Sequence, residues 1–260
     1  MRLPSGRTAT AGLQVGNHQK PTVLVLHGFL QTRTFPTVVG VAEALAANGH
    51  TVLTPTLSLG ISSRKNSLPC EAIHLHDFDS DVDEVEFWVR WLVAKGHKRI
   101  TLVGHSFGNL HLLAYLARKT VPEVRQSVMI SLADVESRQN AASRSRLAAD
   151  LRARVGRKDA NLVEAEFGHC KKYVSTPSAL LSYISITRTS LLGWLGKSSV
   201  PVDVIMGGND ERMGPGWIDK LSTRSDAVQI IPGANHFFDN QFEFDLQDAV
   251  VHALTRTQSP

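Results

Sequence analysis

A parallel sheet covered by helices on both faces, the α/β class, is what this 260-residue chain predicts. Three observations carry that prediction. Short β-branched, apolar runs recur with helix-length stretches between them, the order produced when crossover helices cover a parallel sheet. One run ends directly in a glycine-flanked serine followed by an apolar helical stretch, and two later runs end in glycine turns that deliver an aspartate and a histidine.

The elements follow in order. Thr22 to Leu26 is the first clear strand, and Val38 to Ala47 is a helix stopped by Asn48-Gly49. Thr51 to Thr54 is the next strand. The helix from Asp79 to Ala94 opens with Asp77, Asp79, Asp81 and Asp83 and closes at Lys95-Gly96. Carboxylates suit the positive end of a helix dipole, so this acidic run reads as a solvated helix start rather than a metal site. Strands from Arg99 to Val103 and from Ser127 to Leu132 bracket the helical stretch Leu110 to Ala117, and strands from Val202 to Met206 and Ala227 to Ile231 complete the sheet.

Between Val135 and Ser199 the alternation breaks. This segment carries eleven Lys and Arg, among them Arg138, against five Asp and Glu, and it reads as an inserted cap of two to four helices. The expected organisation is a core of residues 1–134 and 200–260 with a cap over 135–199. Apolar cap residues such as Leu180, Tyr183, Ile184 and Leu191 are expected chiefly to seat the cap on the core.

Hydrophobic residues make up 42% of the chain, enough for a sizeable core, and the formal charge of +4 is mild and otherwise dispersed. Nucleic acid is therefore not an expected partner. Cys70 and Cys170 are far apart in sequence, which predicts neither a disulfide framework nor a cysteine metal cage and favours a reducing compartment. The start of the chain lacks the apolar stretch of a signal peptide, and no run is long enough to span a membrane. A cytoplasmic protein is the expectation.

The chemistry centres on Gly104-His105-Ser106-Phe107-Gly108, which joins a strand to a helix and so projects the Ser106 hydroxyl from a tight turn. Glycine on either side is expected to permit the strained backbone. A serine hydroxyl is a weak nucleophile at neutral pH. It needs a histidine to accept its proton and a carboxylate to hold that histidine's tautomer. Gly207-Gly208-Asn209-Asp210 and Gly233-Ala234-Asn235-His236 each follow a strand, so Ser106, Asp210 and His236 all fall at the C-terminal edge of one sheet, where ligands bind in open α/β folds. Asp134 rivals Asp210, but it opens the cap. The rival reading of Ser106, an ordinary helix N-cap, leaves the other two residues unexplained. Backbone donors for a developing oxyanion are each worth roughly 3 kcal/mol. They are expected from Phe107, after the nucleophile, and from Phe29 in His27-Gly28-Phe29-Leu30, with Leu30 as the nearby alternative. His27 reads as a shaper of that turn, and His105 as part of the packing beneath the serine. His74, His76 and Asp77 have the side chains of metal ligands, but no second ligand cluster accompanies them; ordinary hydrogen bonding is favoured, with substrate contact by His74 and His76, together with Leu30, as the minority reading.

Taken together, in this order, these motifs resemble the α/β-hydrolase superfamily across about residues 20 to 255. The resemblance implies an α/β-hydrolase fold with a mostly parallel central sheet flanked by helices, a helical cap inserted near Leu132, and cofactor-free acyl transfer to water. It also implies an opening antiparallel hairpin, for which only ~20 residues are available here, so that part is expected to be truncated. The expected activity is hydrolysis of a carboxylic ester or thioester on Ser106, with a small acyl substrate that the basic cap would favour as an anion. An acyltransferase with the same three residues, and a non-catalytic binding protein on this fold, are the alternatives.

Overall fold

The computed structural model describes residues 1–118, 120–137, 140–224 and 227–256. Its main sheet contains β1 (Thr10–Gln14), β2 (Thr22–Leu26), β3 (Thr51–Thr56), β5 (Ile100–His105), β6 (Val124–Ile130), β9 (Val202–Gly207) and β10 (Val228–Ile231), in the order β1-β3-β2-β5-β6-β9-β10. All neighbours are parallel except β1, which pairs antiparallel with β3. A smaller sheet joins β4 (Ile73–His74), β8 (Cys170–Ser175) and β7 (Val163–Phe167).

The period of two in β2 divides the core. Val23 and Val25 face α1 (Pro36–Ala47) and α8 (Phe242–Arg256), while Leu24 and Leu26 face α2 (Phe78–Ala94) and α3 (Gly108–Arg118). Each central strand is thus buried on both sides, as its unbroken apolar run requires.

Three expectations change. The N-terminal region does contain an antiparallel strand: β1 occupies the sheet edge, where Thr-Ala-Gly-Leu-Gln has too little β-branched character to announce itself. β6 begins three residues earlier than the apolar run, because buried Gln126 is satisfied by Asp203 and by the Ala253 carbonyl. The inserted segment is not all helix. Between α4 (Ala141–Gly156) and the pair α5 (Pro177–Ile184) and α6 (Arg188–Gly196), the β7–β8 hairpin turns back and pairs through β8 with β4. In β7 the residues Val163-Glu164-Ala165-Glu166-Phe167 alternate apolar and acidic, the pattern of a half-buried strand. Leu180, Tyr183, Ile184 and Leu191 of the segment are buried in the core, and Arg138 lies outside the described residues.

The cysteines are a further correction. Cys70 and Cys170 form a disulfide, with Cα atoms 5.3 Å apart across a separation of 100 residues. The fold brings together two loops that sequence distance had kept apart. The acidic run also divides. Asp77 caps α2 by accepting from the Ser80 amide at 2.9 Å, but Asp81 is buried and bonded to His76 Nδ1 at 2.5 Å rather than solvated.

Candidate active site

Ser106 lies between β5 and α3 with φ of 55°, a left-handed conformation that costs a non-glycine residue of order 1–3 kcal/mol. The strain rests on the serine itself. Gly104 and Gly108 have ordinary backbone angles, and what they supply is space: a Cβ on Gly108 would stand 2.5 Å from the His27 carbonyl, and one on Gly104 would stand 2.8 Å from Leu112. This corrects the expectation that the glycines carry the strained backbone.

His236 Nε2 is 2.8 Å from Ser106 Oγ, and His236 Nδ1 is 2.7 Å from Asp210 Oδ2. Because a carboxylate only accepts, Nδ1 carries the proton and Nε2 is left to accept from the serine. All three residues are nearly buried. Gly207, ending β9, lets the loop that bears His236 approach: a Cβ there would meet the Ala234 carbonyl at 2.5 Å. The Arg212 amide donates to Asp210 Oδ1 at 2.9 Å and keeps the second carboxylate oxygen occupied. Asp134, the rival acid, is turned elsewhere. It pairs with Arg188 at 2.5 Å and accepts from the Gly214 and Glu136 amides.

Two residues that sequence reasoning did not single out for this purpose hold the backbone of His236. Its carbonyl accepts from His105 Nε2 at 3.1 Å and from Ser131 Oγ at 2.9 Å. Burial, with His236 adding to it, lowers His105 to a pKa of about 3, so it stays a neutral donor.

The turn after β2 is built in the same manner. His27 donates from Nδ1 to the Gly28 carbonyl and accepts at Nε2 from the Leu57 amide, and burial and then Arg64 lower its pKa to about 3. Arg64, itself buried, donates to the carbonyls of Leu57, Leu30, Asn66 and Gln31. The Gly28 amide donates to Gln31 Oε1. Among the described residues, the amides of Phe29 and Phe107 have no acceptor, which leaves both available to a ligand. Nothing in the spacing of Arg64 marked it, because its four carbonyl partners converge only when the loops fold.

Ser106 and His236 open into a pocket that is partly continuous with solvent. Phe29, Phe107 and Phe167 pack edge and tilt against one another on one side, and Phe237, covered by the Arg212 guanidinium at 4.5 Å, stands on the other. Leu30, His74 and His76 do not line this pocket. Leu30 and His76 border a small cavity on the other side of Phe29 and Phe107, where His76 binds Asp81, and His74 stacks on Tyr173 and reaches the Cys70 carbonyl. Cys70, His169 and Cys170 bring metal-binding atom types within 4.8 Å of one another, but both sulfurs are committed to the disulfide.

The chain belongs to the alpha/beta hydrolase family, whose pattern its residues 23–250 match. Solved structures share the fold at low identity. Est1E from Butyrivibrio proteoclasticus, with ferulic acid bound, has a TM-score of 0.71 at 18% identity over 98% of each chain. A monoacylglycerol lipase from Paleococcus ferrophilus has a TM-score of 0.71 at 14% identity over 96% of this chain and 99% of its own. The thioesterase domain of the curacin biosynthetic pathway has a TM-score of 0.60 at 15% identity over 96% of this chain and 100% of its own. Among curated proteins none matches the sequence.

Proposed function

We propose that the protein is a serine hydrolase that cleaves a carboxylic ester or thioester through an acyl-enzyme on Ser106. The observation that carries this reading is the unbroken line Ser106 Oγ, His236 Nε2, His236 Nδ1, Asp210 Oδ2, with contacts of 2.8 and 2.7 Å, at the mouth of a pocket. In the reaction, His236 takes the Ser106 proton as Oγ attacks the acyl carbon, and Asp210 stabilises the imidazolium. The Phe29 and Phe107 amides receive the oxyanion. His236 then protonates the leaving alcohol or thiol, and water resolves the acyl-enzyme by the reverse relay.

The phenylalanine walls suit an apolar or aromatic group beside the scissile bond, in keeping with the ferulic acid held by Est1E. Among the described residues of the basic inserted segment, Arg144, which lines the pocket, is bound to the Val135, Ile184 and Ile186 carbonyls, and Arg188 is paired with Asp134. Among the described residues no helix is long and apolar enough to cross a membrane. The disulfide favours an oxidising compartment over the cytoplasm.

A fluorophosphonate probe tests the reading directly. The folded protein should be labelled and Ser106→Ala should not; equal labelling of the two would overturn it.

A further inference from the structure

The β7–β8 turn closes on Phe29, the residue assigned as an oxyanion donor. Phe167, His169 and Tyr173 hold their rings 5.4, 5.1 and 6.0 Å from the Phe29 ring. Gly168, with φ of 59°, lies so near that an added Cβ would stand 3.2 Å from the same ring. The Phe29 side chain is thus clasped by four consecutive or near-consecutive residues of one hairpin.

The hairpin is anchored at two places. Toward the far end of β8, Val174 and Ser175 pair with Ile73 and His74, and Ser175 Oγ donates to the His74 carbonyl at 2.5 Å. At the turn itself, Cys170 pairs across to Phe167 and is bonded to Cys70. β4 pairs only with residues 174 and 175 and does not reach the turn, so the sulfur bridge is what ties the Phe167–Gly168–His169 turn covalently to the core domain. Cys70 is partly exposed, so a small thiol can reach the bond.

We propose that the Cys70–Cys170 disulfide is a positioning element for the active site: it presses the Phe167–Gly168–His169 turn onto Phe29 and so keeps the Phe29 amide aimed at the oxyanion. This inference rests on the Ser106 acyl-enzyme reading. A dithiol reductant supplies two electrons and two protons, the sulfur–sulfur bond breaks to two cysteine thiols, and the reductant closes to its own disulfide. The freed turn then lets Phe29 move. The catalytic line of Ser106, His236 and Asp210 is untouched, because none of these residues contacts the hairpin through a hydrogen bond among the described residues.

The test measures the second-order rate of fluorophosphonate labelling, and kcat and KM for p-nitrophenyl butyrate, before and after dithiothreitol, with free thiols titrated. Reduction should slow labelling about tenfold and act on kcat more than on KM, short of the ~10²–10³ lost when an oxyanion donor is deleted. The double variant Cys70→Ser/Cys170→Ser should be equally slow and indifferent to dithiothreitol. Gly168→Ala, which displaces Phe29 with the disulfide intact, should be slowed similarly, and it decides the matter if the reduced protein unfolds. Oxidised protein that is not labelled at all overturns the Ser106 reading. Labelled protein whose rate is unchanged by reduction, or a Gly168→Ala variant as fast as the parent where the reduced form has unfolded, overturns the positioning role alone.

Discussion

His236, the proposed catalytic base, is held by neighbours whose own proton chemistry is suppressed. His105 is neutral because burial disfavours its charge, so it serves as a fixed donor to the His236 carbonyl rather than a competing base. Ser131 supplies the second donor. Which aspartate serves His236 is decided by contacts that a substitution can separate. Asp210→Asn should lower kcat by about 10³–10⁴ with a nearly unchanged melting temperature, by analogy with the loss of tautomer control in other triads. Asp134→Asn, which weakens the pair with Arg188, should instead cost about 1–3 kcal/mol in urea unfolding. Steady-state kinetics beside denaturation curves for the two variants checks both statements. At this scale Ser106, Asp210 and His236 were legible, because each ends a strand in a recognisable glycine turn. Ser131 and Arg64 were not, since the partner of Ser131 lies 105 residues away and three of the four carbonyl partners of Arg64 lie 7 to 34 residues away along the chain.

Helix α2 shows how an element is started by one side chain and seated by another. Asp77 accepts from the Ser80 amide at the helix start, where backbone donors lack partners. Asp77→Ala should destabilise the protein by about 1 kcal/mol in chemical denaturation without altering the labelling of Ser106. One turn on, Asp81 has the same residue type and a different fate. Burial pushes its carboxyl up, but His76 and Tyr183 more than offset this and hold it below the usual carboxylate range. The inserted segment makes the same point on a larger scale. Its helices followed from composition, whereas the β7–β8 hairpin was passed over because its strands have only 5 and 6 residues and the adjacent Lys171 and Lys172 of β8 break the alternation seen in β7. Their pairing partner, the two-residue β4, acquires strand geometry only by contact with β8.

Across the whole molecule, buried neutral histidines set the response to acid. His27 and His105 are lowered to about 3 and His111 to about 4, in each case first by burial, against an ordinary value near 6.5. Between those values the unfolded chain binds protons that the folded chain does not, so stability rises with pH through this window and falls as the pH drops from about 6.5 toward 4. Melting curves from pH 7.5 to 4.5 should show that decline, and it should be shallower in His111→Phe. A flat profile over this range would contradict the burial of these three imidazoles.

Local pattern alone determined the alternation of strand and helix, the strand-turn-helix setting of Ser106, and the order of the proposed nucleophile, acid and base. Each of these is written in contiguous residues whose β-branching, period and glycine turns act over a few positions. The tertiary structure decided which buried cation holds the turn after β2, and that Cys70 and Cys170 are joined. Those are contacts between segments up to 100 residues apart, set by how the layers pack and invisible to any spacing rule. The same packing moved His76 away from the pocket and brought Gly168 against Phe29, because side-chain neighbours are chosen by burial and shape once the sheet has placed its loops.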